Sequence, residues 1–354
     1  MKIELLSKHK EHLSRRLLFL WSIVSLLTAQ GNKQLSISPY YDSNVQESFN
    51  QPLSTSGLKI GGRYEKNFGR KQFNTFTRIQ GQTYLDTRYF TESKFLLLAD
   101  LDHYYRISRK TALRFQWNYF HKVYFDPTRF YRWGDGGLFV QYSPTDSFSG
   151  KAGFRYRRSA VSSGETNRFQ QQAFEFLGRY TPSSHLYVEV FGGPTSVIHR
   201  DFKALAVVRD TVLTVLSKTQ QDDGRHGGIH FRYQGKIIYG AHVNYESVTS
   251  NSVIGNYSIL SLRLYLSGQW RQNTFYHIVI QQMDKAYKNE SVQGVSGYRD
   301  PEELIQNRSY FRLEHQLKPD LRHYVQLSVL QNETLLNQQY YDKIILEAGL
   351  KFEF

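Results

Sequence analysis

The 354 residues contain no cysteine. Disulfides, thiolate metal sites and an acylated cysteine anchor are thereby excluded. No apolar run reaches the ~18 residues that a transmembrane helix requires, and mean hydropathy is −0.53. Leu- and Ala-rich helical stretches are nearly absent. No Gly-rich phosphate loop sits between a strand and a helix, and no His/Asp/Glu cluster has metal-ligand spacing. No cofactor is expected. Basic blocks are missing too: the net charge is +14, yet Lys and Arg are spread along the chain rather than clustered. Without a basic helix face, nucleic acid is not an expected partner.

What the chain does have is aromatic residues, 26 Tyr and 24 Phe, set into alternating stretches. A low mean hydropathy does not count against a membrane β-barrel, because only every second residue of such a barrel faces lipid. Residues 1–30 stand apart. Lys2, Lys8, Lys10, Arg15 and Arg16 precede the apolar run Leu17 to Leu27 and then Thr28-Ala29-Gln30. A basic head, a short apolar run and small residues near a cut site predict a secretory signal peptide. The domain reading is therefore 1–30 signal peptide and 31–354 a single barrel. The leader contributes +3, which leaves the exported part near +11.

The last dozen residues, Lys343 to Phe354, alternate without a break. Ile344, Leu346, Ala348, Leu350, Phe352 and Phe354 fall on one face; Lys343, Glu347, Gly349, Lys351 and Glu353 fall on the other. A period of two predicts a strand with one apolar and one polar side. This ending resembles the closing strand of bacterial outer-membrane β-barrel proteins of porin-like type. The resemblance implies that Leu350, Phe352 and Phe354 form the signal read by the barrel-assembly machinery. It also implies an outer-membrane location and contact with outer-membrane lipid. Near the start, Tyr40-Tyr41-Asp42-Ser43-Asn44-Val45 resembles the opening barrel strand of surface-lipoprotein assembly modifiers, though no helical repeat region precedes it here.

From Gln34 onward a unit of about 20 residues repeats. Short reversals are expected at 69–71, 108–110, 143–146, 181–184, 234–236, 267–269 and 318–320, each built from Gly, Pro, Asp, Ser or Lys. Longer connections are expected near 47–55, 126–136, 160–167, 192–227, 248–256, 284–308 and 332–338, with a tighter one at 89–94. Alternating short and long connections are a mark of outer-membrane barrels. The expected fold class is all-β: a transmembrane, antiparallel, up-and-down β-barrel of about sixteen strands, within two.

The alternation assigns faces. Toward lipid fall sets such as Leu113/Phe115/Trp117/Tyr119, Leu260/Leu262/Leu264/Leu266 and Val325/Leu327/Val329. Their neighbours, expected to line the lumen, include Arg63, Arg78, Arg106, Arg114, Arg155, Arg157, Arg179, Arg232, Arg263, Arg312, Glu314 and Glu347. An Arg facing lipid at midplane costs about 2–4 kcal/mol, so a set of this size belongs inside.

A sixteen-strand barrel encloses a lumen of porin width, and walls richer in Arg and Lys than in acids favour anions. The leading expectation is a porin-like channel for small hydrophilic solutes, with a preference for anionic ones as its finer form. Cross-strand pairing, for instance Arg106 with Asp100 and Asp102, or Arg312 with Glu314 and Glu347, would instead fill the interior. The alternative function is a non-conducting surface or assembly scaffold whose loops bind another envelope component. Residues 204–216 form an apolar hairpin that suits such a contact or simply extends two strands. His242, Asn244 and Glu246 share one strand face with no nucleophile beside them, so they read as lumen lining and no enzyme is expected. Nothing marks a subunit interface, so monomer and homo-oligomer both stay open.

Overall fold

The structure is a computed structural model that describes residues 31–45, 52–70, 72–126, 128–163, 166–208, 212–288, 307–333 and 340–354. Residues 1–30, read as a signal peptide, lie outside the described residues, as do the middles of several long connections. Sixteen strands follow one another. The first four are β1 (Asn32–Asp42), β2 (Thr55–Gly69), β3 (Phe73–Asp86) and β4 (Lys94–Arg106). Next come β5 (Thr111–Tyr124), β6 (Arg129–Tyr142), β7 (Phe148–Ser163) and β8 (Thr166–Ser183). The long pair β9 (Leu186–Val208) and β10 (Val212–Gln234) precedes β11 (Ile237–Ser250) and β12 (Tyr257–Arg271). Last come β13 (Thr274–Tyr287), β14 (Asn307–Lys318), β15 (Leu321–Glu333) and β16 (Tyr340–Glu353).

Each strand pairs with the next, and β16 returns to β1, so the sheet closes into a barrel. The closing seam is antiparallel, with Ile37 opposite Leu350 and Tyr40 opposite Glu347. Closure satisfies the backbone donors and acceptors that an open edge would leave bare.

The alternation in the sequence becomes two walls. Ile37, Trp117, Leu138, Phe154, Phe174, Leu264 and Leu346 are exposed on the outer wall despite their size. Positions between them turn inward, where Asp135, Glu189, Glu314 and Glu347 are buried. The inner wall is not polar throughout, as strict alternation predicts. Leu96, Phe120, Tyr131, Val161 and Phe169 form a buried inner cluster, with Leu98, Trp133 and Val197 packed against it. These residues occupy the inward register of β4 to β9, toward the long connections.

Four connections differ from expectation, the long one at 160–167 because β7 runs to Ser163 and β8 starts at Thr166. The reversal expected at 267–269 lies instead after Arg271, at Asn273, whose φ is 62°. Asparagine tolerates this left-handed conformation better than most residues. Gly268 belongs to β12: a Cβ there would lie 2.7 Å from Tyr276 Oη, so the glycine makes room for an aromatic side chain across the strand pair. The long connection expected over 126–136 shrinks to a few residues. Asp126 accepts hydrogen bonds from the Thr128 amide (3.0 Å) and hydroxyl (2.7 Å), and β6 starts at Arg129. Between 192 and 227 the chain is almost entirely strand, the extension of β9 and β10.

Candidate functional site

The inner wall is the candidate site. All twelve charged positions singled out as lumen-facing occupy inward register positions, and several of them meet. Arg78 stands opposite Asp100 across β3 and β4, and its Nε donates to Asp100 at 2.5 Å. Arg114 binds Asp102 through its Nε at 2.8 Å. Arg63 bonds Glu65 two residues along the same strand, at 2.9 Å. Arg179 donates to Glu189 at 2.6 Å, and Arg312 lies 2.6 Å from Glu314. Glu347 pairs with Lys59 at 2.9 Å.

Three of the pairings weighed from the sequence fail. Arg106 pairs with neither Asp100 nor Asp102, and Glu347 does not take Arg312. The reason is geometric. Four residues along a strand span roughly 13 Å, while opposed residues on paired strands sit about 5 Å apart. Carboxylates take partners across the ladder, as Asp100 does, or two residues along one strand, as Glu65 and Glu314 do, and β15 stands between Arg312 and Glu347. Arg106 reaches the exposed end of β4.

Sequence reasoning missed the centre of this network. Asp135 is buried and accepts from Asn118 (2.7 Å), Arg155 (2.9 Å) and Arg157 (3.1 Å). Arg155 also lies 2.8 Å from Glu175. Asp135 fell in a segment expected to be a loop; the alternation of Tyr131, Trp133 and Asp135 was the signal that could have placed it on a strand. Lys59 and the buried pair Lys343–Asp42, 2.9 Å apart, were missed as well. Lys59 stands alone between Leu58 and Ile60, and Asp42 and Lys343 lie at opposite ends of the chain, so nothing local marks either partner.

Other cations have no such partner. Arg232, opposite Tyr187 and Gly240, and Arg263, opposite His242 and Gln281, have no carboxylate within ion-pair distance among the described residues. Lys151 lies 3.4 Å from the Gln116 amide oxygen and likewise has no carboxylate partner among them. Beside Arg232, Glu189 links Arg179 to His230 (3.1 Å), and His230 reaches the Tyr265 hydroxyl (3.2 Å).

A cavity of about 240 Å³ opens in the inner wall over β7 to β11. Arg155, Arg157, Glu175, His226, Asn244 and Glu246 bring charge and hydrogen-bonding groups to it. Phe191 stacks on His242 at its side, with ring centroids 5.0 Å apart. His242, Asn244 and Glu246 thus face inward as their spacing predicted. Among the described residues no group of three His, Asp or Glu side chains could hold a metal ion. The arrangement can bind and orient small polar solutes.

No family model matches the chain, and no curated protein matches it. Solved structures similar to it are barrels. One is a bacterial polysaccharide outer membrane secretin, with 8% identity, a TM-score of 0.44, and coverage of 92% of this chain and 99% of that one. A triple mutant of the Rhodopseudomonas blastica porin gives 8% identity and a TM-score of 0.40 over 91% and 99% of the two chains. The Pseudomonas putida toluene transporter TodX gives 8% and 0.38 over 93% and 90%. The barrel itself is established by this chain's own strand pairing.

Proposed function

We propose that the protein is an integral barrel of the bacterial outer membrane that conducts small hydrophilic solutes and favours anions. The observation that carries this reading is the division of the two walls. Large apolar side chains cover the outside, while the inside carries ion pairs plus the unmatched cations Arg232, Arg263 and Lys151. A wall of this kind faces hydrocarbon outward at no cost and water inward, and surplus Arg and Lys attract anions. Export through residues 1–30 and assembly through Leu350, Phe352 and Phe354 belong to the same reading.

Reconstitution into planar bilayers tests it. Single-channel steps are expected, with a reversal potential in a KCl gradient that indicates anion preference. R232E/R263E should move that potential toward cation preference. Absence of steps in correctly folded protein would overturn the channel; an unmoved potential would overturn the anion preference.

A second reading rests on β9 and β10. At 23 residues each, they exceed the 9–11 residues that a tilted strand needs to cross a bilayer. The surplus would project from the membrane as a docking hairpin for another envelope component. Deleting residues 204–216 should then remove co-purifying partners while leaving conductance intact.

A further inference from the structure

The outer wall carries one feature that neither a channel nor a hairpin uses. Arg132, Arg158, Arg168 and Arg200 are all exposed. The ladder brings them together on neighbouring strands. Arg132 on β6 lies opposite Ala160 of β7, and Ala160 lies opposite Arg168 of β8. Arg158 stands between Gly134 and Gln170 in the next row. Phe169 faces His199 in register, so Arg168 and Arg200 are the neighbours that follow. Four strands at about 4.8 Å spacing place these guanidiniums within roughly 15 Å of one another.

Asp201 neutralises one of them, since Arg168 donates to both its oxygens at 2.8 and 3.0 Å. Arg132, Arg158 and Arg200 have no carboxylate within ion-pair distance among the described residues. Arg158 donates its Nε to the Tyr156 hydroxyl at 2.9 Å, which fixes the guanidinium against that ring. Below the patch the outward positions are Tyr156 on β7 and Gln170 and Gln172 on β8, and then Phe154 and Phe174 of the apolar belt, opposite each other and both 49% exposed. The patch therefore sits at the level where a barrel meets lipid headgroups, on the rim that carries the long connections. On other strands the outward positions toward that rim carry both signs, Asp223 and Arg225 on β10 and Asp284 and Lys288 at the end of β13, so the group of neighbouring arginines is particular to β6 to β9.

We infer that this patch binds the phosphate groups of a phosphorylated lipid in the surrounding outer leaflet. A guanidinium presents paired donors that match phosphate oxygens, and three unmatched ones supply the counter-charge for a headgroup bearing two phosphomonoesters. Acyl chains of such a lipid would lie along Phe154, Tyr156 and Phe174. The inference rests on the outer-membrane reading but not on conduction.

The test uses the exported chain purified in non-ionic detergent. It is titrated with lipid A, with dephosphorylated lipid A and with inorganic phosphate, and bound lipid is counted by native mass spectrometry. Lipid A should be retained, the dephosphorylated form should not, and equimolar inorganic phosphate should not displace it. R132A/R158A/R200A should weaken retention about 100-fold at low salt, roughly fivefold for each guanidinium removed near a headgroup. R132K/R158K/R200K keeps the charge but loses the paired donors and should fall between. Folding of each variant is read from the shifted band of unheated protein on SDS gels. Equal retention of both lipid forms, full retention by the folded alanine variant, or displacement by equimolar phosphate would overturn the inference. A chain that stays folded and monomeric without detergent would overturn the outer-membrane reading itself.

Discussion

Asp135 on β6, its carboxylate buried, receives a hydrogen bond from Arg155 on β7 at 2.9 Å. Arg157, two residues along β7, shares the same oxygen at 3.1 Å and also lies over the Trp133 ring, 4.7 Å from its centroid. One carboxylate thus holds two guanidiniums apart on a curved wall, and its loss would leave two partly buried charges facing each other.

D135N should therefore lower stability by about 2–4 kcal/mol, toward the lower end because both arginines keep some access to water. Urea unfolding of the barrel in lipid vesicles measures it. The same variant adds positive charge to the lumen, so any anion preference should increase.

Gly349 guards the seam. A Cβ at this position would lie 2.6 Å from the Ile37 carbonyl oxygen and 2.5 Å from the Ser38 Cβ. Both belong to β1, the strand that β16 must meet to close the barrel. G349V should cost about 1–3 kcal/mol through overpacking and slow closure. The readout is the fraction of heat-modifiable protein on SDS gels. Gly62, where an added Cβ meets nothing within 4 Å, is the control: G62A should fold as wild type.

Asn273 makes the β12–β13 reversal with φ of 62°. N273G should be neutral or slightly stabilising, whereas N273V should cost about 1–2 kcal/mol because a branched side chain is strained there. Paired unfolding midpoints of the two variants decide it. Equal midpoints would show that the turn relaxes by another route.

At the outer end of β8 and β9, Arg168 donates to Asp201 and holds its carboxyl below the usual carboxylate range. Because the folded group has the lower pKa, its stabilisation is present above the ordinary Asp value and is lost as pH falls through the folded one. R168A should raise the Asp201 pKa back toward ordinary values. NMR titration of the Asp201 carboxyl carbon would follow it, and the β8–β9 end should then fray at neutral pH as well, with the pH dependence of that fraying largely lost because folded and unfolded states bind the proton alike.

Much of the fold was legible in the sequence because it depends on a local quantity, the period of two. Ile344 to Phe354 read as a strand with an apolar face, and the same pattern in the other segments fixed which residues turn inward, Arg78 and Arg312 among them. Gly268 misled for a physical reason: glycine marks a turn when backbone freedom is needed, but it also marks a strand position over which a neighbour's ring lies. Asp126 to Gly136 misled because one aspartate accepting two hydrogen bonds can make a reversal in far fewer residues than a loop.

Face, strand and approximate number were thus determined by the chain alone, since hydrocarbon and water sort alternating side chains whatever their partners. Partner choice was decided only by the closed barrel. Which arginine neutralises Asp100, why Asp135 serves two guanidiniums, and why Arg232 and Arg263 are left without a carboxylate depend on register between strands. Register places side chains across the ladder within about 5 Å, a distance that no spacing along the sequence encodes.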